Sequence, residues 1–348
     1  MNLYRQRQWL YMPAIGLQIL LGMNSFALLP WAAAEEPAAP PADVAPIVAQ
    51  VGETSIYRSE LNAVLRRLGY EQITTLDQQL RAQAEAIEQL VNQQLLRMFV
   101  TREAITVKKT DIEARIDHMR LELATRQITL NDFLAQSGQD EPSLKNQIAL
   151  DLAVSQLIAP KMTPQALAAT FVTHHRDIDG TRLRVSHILL RPDPGLGAES
   201  IPTLVGRAKT IRREILQGEY SFADAAKKFS AGPSHRRDGD IGFLSRRGLA
   251  REEIAREVFS LAKGDISQPI ITPFGVHLFT VTAVEAGTAN ADSLRPQLEA
   301  ILAKECVQEV LAKARKIANV SYAPDMPYFD PASTAEDVPQ RKVILVTE

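Results

Sequence analysis

The sequence predicts an α+β protein in which a strand-and-helix domain is inserted into a mostly helical one. Three observations carry that expectation. From residue 58 to about 160, apolar residues recur at three- and four-residue steps, the period of a helix. Residues 182 to 285 change character, reading strand, helix, helix, strand, helix, strand between glycines. A last helix, about 292 to 318, carries an apolar face of Leu294, Leu298, Ile301, Leu302 and Val310 that needs a partner. The early helices supply it if the chain folds back, which makes the helical domain discontinuous in sequence.

Residues 1 to 34 are a different material. Arg5 and Arg7 precede a mostly apolar run from 9 to 31, which leaves through Trp31-Ala32-Ala33-Ala34. A basic start, an apolar middle and small residues at the exit describe a secretory signal peptide, cut after Ala34. The alternative is an uncleaved anchor, since roughly 20 apolar residues span a bilayer, and only then does the protein touch membrane. Pro13, Gly16, Gly22, Asn24 and Ser25 weaken that span. The expected location is the periplasm or cell envelope. No cysteine follows the apolar run, which argues against a lipid anchor. Loss of Arg5 and Arg7 takes the net charge from −2 to −4.

Residues 35–46, "EEPAAPPADVAP", form a Pro/Ala linker. A helical domain is expected over 47–178. It opens with "IVAQVGETSIY", a strand-like alternation around a glycine turn, and Ser59 caps a first helix to Leu68. A long helix from about 77 to 103 follows, with Leu80, Ala84, Ile87, Leu90, Val91, Leu95 and Met98 on one face. Thr110-Asp111-Ile112-Glu113 reads as a capping box for the next. Segments near 129–137 and 142–158, then a helix from Thr163-Pro164 to about Gly180, complete the set. The inserted domain spans 182–286, the closing helix 290–320, and the proline-rich segment 321–348 reads as disordered.

Composition narrows the chemistry. The 348 residues are 45% hydrophobic and 23% charged, enough for two domains with cores of their own. A net charge of −2, with no basic stripe, gives no case for nucleic acid. Cys306 is the one cysteine, so an intrachain disulfide and a zinc site built on cysteine pairs are both excluded. His174 and His175 are adjacent on a helix, point about 100° apart and stand beside no carboxylate cluster; no metal is expected.

Two of the six histidines sit inside strand-like runs, His187 in "RVSHILL" and His277 in "FGVHLFTV". Period-two alternation puts Val185, His187 and Leu189 on one face, and His277, Phe279 and Val281 on one face. Around them stand "VSHILL", "GEYSFADAAKKFS", "GDIGF" and "FSLAKGDISQPIITPFGVHLFTV". That ordered series, about a hundred residues long, strongly resembles the parvulin family of peptidyl-prolyl isomerases. The flanking helices, with "VAQVGETSIYRSEL" and "EQLVNQQLL", look like the chaperone part of SurA-type periplasmic folding factors.

The resemblance implies an antiparallel sheet with flanking helices, and neighbouring strands that bring His187 and His277 side by side as the catalytic pair. Burial would hold both rings neutral. Substrate-binding positions fall on Ile241, Phe243, Leu244, Ala250, Ile254 and Phe274. Ser186, Asp240 and Thr280 are polar candidates for the cleft, Asp240 doubling as a turn acid. No cofactor or metal is implied. The partners would be unfolded or nascent exported polypeptides with X-Pro bonds. Three positions depart from the family pattern. Gly232 or a neighbour stands where a Cys or Asp is usual, and Ala250 and Ile254 make the proline grip smaller. A foldase that isomerises X-Pro bonds is therefore set against a holdase that only binds non-native chains.

Overall fold

The computed structural model describes residues 46–67, 70, 73, 75–191, 201–249, 251–329 and 343–345. The signal-peptide reading of 1–34, all but the last residue of the 35–46 linker, Leu68 and Ala250 lie outside the described residues. The described chain forms two compact units. Residues up to Ala166 and from Glu299 onward make the first; Leu167–Leu298 make the second.

In the first unit, β1 (Ile47–Val51) and β2 (Thr54–Tyr57) form an antiparallel hairpin that turns at Gly52, φ 59°. Helix α1 (Arg58–Arg67) leads to α2 (Leu76–Arg102), whose buried residues include Ala84, Ile87, Val91 and Leu95. The expected stripe is thus the core face, although its ends, Leu80 and Met98, are only half-buried. A separate apolar cluster joins α3 (Lys109–Ala124), α4 (Leu130–Ser137) and α5 (Glu141–Ile158) through Ile116, Leu130, Leu134, Leu144 and Ile148.

Three expectations fail here. Helix α1 begins at Arg58, so Ser59 lies inside its first turn and does not cap it. The capping box at Thr110 does not form. Helix α3 begins one residue earlier, at Lys109, so Thr110 already has a place inside the first turn. The capping box that does form is at Thr129, whose hydroxyl accepts from Asp132 N–H while Asp132 accepts from Thr129 N–H. The disordered reading of the tail also fails over its described part. Strand β7 (Val320–Tyr322) pairs antiparallel with β1, and β8 (Pro327–Phe329) pairs with β9 (Val343–Leu345). Met326 and Phe329 are buried, and β8 lies on α2. Apolar burial outweighs the proline count there, and Pro327 stands at a strand's first residue, where its missing N–H is tolerated. Helix α10 (Arg295–Ile317) reaches α2 through Arg315, which donates to Glu88 and Asn92.

The second unit begins in α6 (Pro164–Ile178) and is built on a four-stranded antiparallel sheet. Its strands are β3 (Arg182–Leu190), β4 (Asp240–Ser245), β5 (Ile270–Thr272) and β6 (Gly275–Glu285), in the order β4-β3-β6-β5. Ile188, Leu190, Val276 and Leu278 face α7 (Ile201–Leu216) and α8 (Phe222–Phe229). Leu183, Val185, Phe279 and Val281 face the other way, onto α9 (Glu252–Ser260). Ser221 accepts from Asp224 N–H to start α8, and Gly218 lies at φ 80° just past α7.

Candidate active site

Strands β3 and β6 are neighbours, with His187 opposite Phe279 and Leu189 opposite His277. The two histidines are therefore diagonal partners on one face, within reach of each other. His277 Nδ1 lies 3.2 Å from His187 Nε2, and the ring centroids are 5.3 Å apart at 21°. Phe279 completes the stack, 5.2 Å from His187 and 5.8 Å from His277.

Thr272 fixes the other end of the pair. Its Oγ1 lies 2.7 Å from His277 Nε2 and accepts from Phe274 N–H at 3.1 Å. The line of polar atoms thus runs Thr272, His277, His187. If the Thr272 hydroxyl donates to His277, then His277 donates to His187, and His187 carries its proton on Nδ1. In the reverse order the Thr272 hydroxyl must turn to Gly275 O, 3.4 Å away. His187 Nδ1 is buried and has no hydrogen-bond partner among the described residues.

Neither ring is cationic at neutral pH. Burial lowers the pKa of His187 to about 4. Burial lowers His277 to about 4 as well, assisted by the adjacent His187 and by the guanidinium groups of Arg191 and Arg251. The pair is a fixed array of dipoles rather than a proton reservoir.

Other expected residues divide by sheet face. Ile241 and Ile254 are half-buried against the cluster that holds Phe279 and Val281, and Leu244 stands opposite Leu183 on that side. Phe274 is 62% exposed in the β5–β6 turn, its backbone tied to Thr272 and to Arg191. Phe243 does not join them. It stands opposite Arg184 on the reverse face, with the Arg182 guanidinium 5.5 Å over its ring. Ser186 and Thr280 are likewise on the reverse face, directly opposite each other, and the Thr280 hydroxyl donates to Asp265 O. Ser186 is one residue from His187 and Thr280 three from His277, and an odd number of steps along a strand turns a side chain to the other side. Asp240 pairs with Arg184 at 2.7 Å and accepts from Gly242 N–H, the turn-acid arrangement.

Two contributors escaped the sequence reading. Thr272 is aligned with Gly275 across a two-residue turn, and Ile270 with His277, so the alternation that put His277 inward puts Thr272 on the same face. The "TPFG" turn held that signal. Leu249 packs beside Ile241 and Ile254, in an irregular stretch where no period applies.

Residues 187–283 match the family model of the PPIC-type PPIASE domain, and residues 5–158 match that of a SurA-like N-terminal domain. Two stretches of the chain are thus similar to two known kinds of domain, the PPIC-type stretch holding the β3–β6 histidine pair. Among curated relatives, Chaperone SurA of Cupriavidus pinatubonensis is 34% identical over 128 residues, 37% of this chain and 24% of that one. Foldase protein PrsA of Bacillus subtilis is 24% identical over 203 residues, 55% of this chain and 64% of the relative. Chaperone SurA of Methylococcus capsulatus is 26% identical over 314 residues, 84% and 65% of the two chains. The chain spans less than two thirds of the length of each. The histidine pair lies within the PPIC-type match, as does Gly232.

Proposed function

We propose that the protein is an exported foldase that isomerises X-Pro bonds in non-native polypeptides and holds those chains on its helical domain. The observation that carries this reading is the neutral, stacked array of His187, His277 and Phe279, tied at one end by Thr272. Peptide rotation has a barrier of about 18–20 kcal/mol, and X-Pro bonds cross it unaided in tens to hundreds of seconds. No bond is made or broken. The enzyme needs only to favour the twisted amide, in which conjugation is lost, over either planar isomer. Rings that stay uncharged can line an apolar seat for the pyrrolidine, with Ile241, Leu244 and Ile254 on the same sheet face. Fixed N–H and hydroxyl dipoles then meet the altered charge of the carbonyl without reorganising.

The catalytic pair is His187 and His277, and the partners are unfolded or nascent chains bound for the cell envelope. Export rests on residues 1–34, with cleavage after Ala34; the mass of the mature protein from an envelope fraction tests it. A second reading, a holdase without isomerase activity, draws on Gly232, which places no side chain beside His187. Refolding of a proline-limited client, run beside an aggregation assay, separates the two. The foldase speeds the slow refolding phase and suppresses aggregation. Suppressed aggregation with an unaltered slow phase leaves the holdase.

A further inference from the structure

The turn between α8 and β4 wraps the His187 ring and backbone, and two buried polar atoms in this region lack partners among the described residues. At one end, a side chain begun at Gly232 would place its Cβ 3.2 Å from His187 Cε1, so the glycine lies against the ring. At the other, His187 N–H donates to Gly239 O at 2.9 Å. Gly239 sits at φ 79°, and a Cβ there would meet His187 O at 2.8 Å, so this approach also needs a glycine. Ser234 lies between the two glycines. Its backbone carbonyl accepts from Gly239 N–H, it is 2% exposed, and its hydroxyl meets no partner among the described residues. His187 Nδ1 is in the same condition. A buried hydroxyl and a buried ring nitrogen, on segments hydrogen-bonded to one another, are each costly when left unsatisfied.

We propose that Ser234 is a positioning residue for His187, its hydroxyl and His187 Nδ1 sharing one bound water beside Gly232. This rests on the isomerase reading above and deepens it. A glycine at 232 leaves room where any side chain would crowd the ring, and a buried water needs two or more polar partners. The line from Thr272 through His277 then ends on the water instead of on a bare N–H. His187 Nδ1–H donates to the water, and the water donates to Ser234 Oγ. Held at both ends, the two imidazoles keep one tautomer and one orientation, the condition under which fixed dipoles favour a twisted amide. Ser234 acts on substrate only through His187.

The test uses the full chain labelled with 15N-histidine. A high-resolution crystal structure of the wild type is expected to show solvent within hydrogen-bond reach of both atoms, and nitrogen spectra a single His187 tautomer with Nδ1 protonated. Ser234→Ala is expected to shift the His187 nitrogen signals and lower kcat on X-Pro peptides about fivefold, the order of one hydrogen bond, with KM little changed. Ser234→Thr is expected to restore both. Unchanged His187 signals and kcat in a folded Ser234→Ala protein would overturn the proposal. So would a wild-type crystal with no solvent between the two atoms, an arm that needs no variant to fold. A wild type without isomerase activity counts against the isomerase reading, whereas the solvent and the tautomer still decide whether Ser234 and His187 are linked.

Discussion

A histidine in water is half protonated near pH 6.5. In the folded chain, His187 and His277 take up a proton only near pH 4, because burial penalises the charged ring. Between those values the unfolded chain binds more protons than the folded one, so stability falls as pH falls through the window from about 6.5 to 4. The shift is worth about 3 kcal/mol for His187, and that of His277 acts in the same direction. Denaturant unfolding of the second unit at pH 7 and pH 4.5 checks this, and His187→Phe is expected to reduce the slope. Thr272 makes a second prediction at this scale. Thr272→Val leaves His277 Nε2 and Phe274 N–H without their partner and is expected to cost about 1–3 kcal/mol; Thr272→Ser keeps the hydroxyl and most of the stability. The histidines were legible in sequence because an imidazole stands out in an apolar strand. Thr272 was not, since a threonine before a turn is unremarkable until the hairpin register is known.

At the scale of elements, periodicity carried the reading furthest where one face is buried over a long run. The α2 stripe and the order of strands and helices from β3 to β6 both follow from it. It failed where one residue decides the outcome. Thr110 and Thr129 each precede an acid at capping distance, but only Thr129 precedes the helix, as Thr110 is already inside one. The resemblance puts Phe243 among substrate-binding positions and Ser186 and Thr280 among cleft candidates, whereas strand pairing turns all three to the face opposite the histidines. The β5–β6 hairpin depends on Gly275, at φ 135°, where a Cβ would stand 2.1 Å from Leu190 O. Gly275→Ala is expected to destabilise the second unit by about 1–3 kcal/mol and to displace His277, lowering the proposed isomerase activity together with the melting temperature.

For the whole molecule, composition and the order of helical and strand-like segments indicated a sheet-containing unit set between two pieces of a helical one. The described residues cluster in that way, with the chain from Glu299 onward rejoining the first unit. What composition missed is the tail, where four prolines in sequence suggested disorder but Met326 and Phe329 are buried. Phe329→Ala is expected to cost about 3–5 kcal/mol of stability in the first unit while leaving isomerisation of short peptides unchanged, because the histidine array lies in the second unit. Loss of peptide isomerisation in a folded Phe329→Ala protein would contradict that independence.

The central claim is that a neutral histidine pair serves prolyl isomerisation. A protease-coupled assay on a proline-containing peptide, comparing the wild type with the combined His187→Ala, His277→Ala variant, tests it most directly. Cis-to-trans conversion well above the unaided rate for the wild type, and close to the unaided rate for a folded double variant, is the predicted result. Equal rates for the two proteins would contradict it.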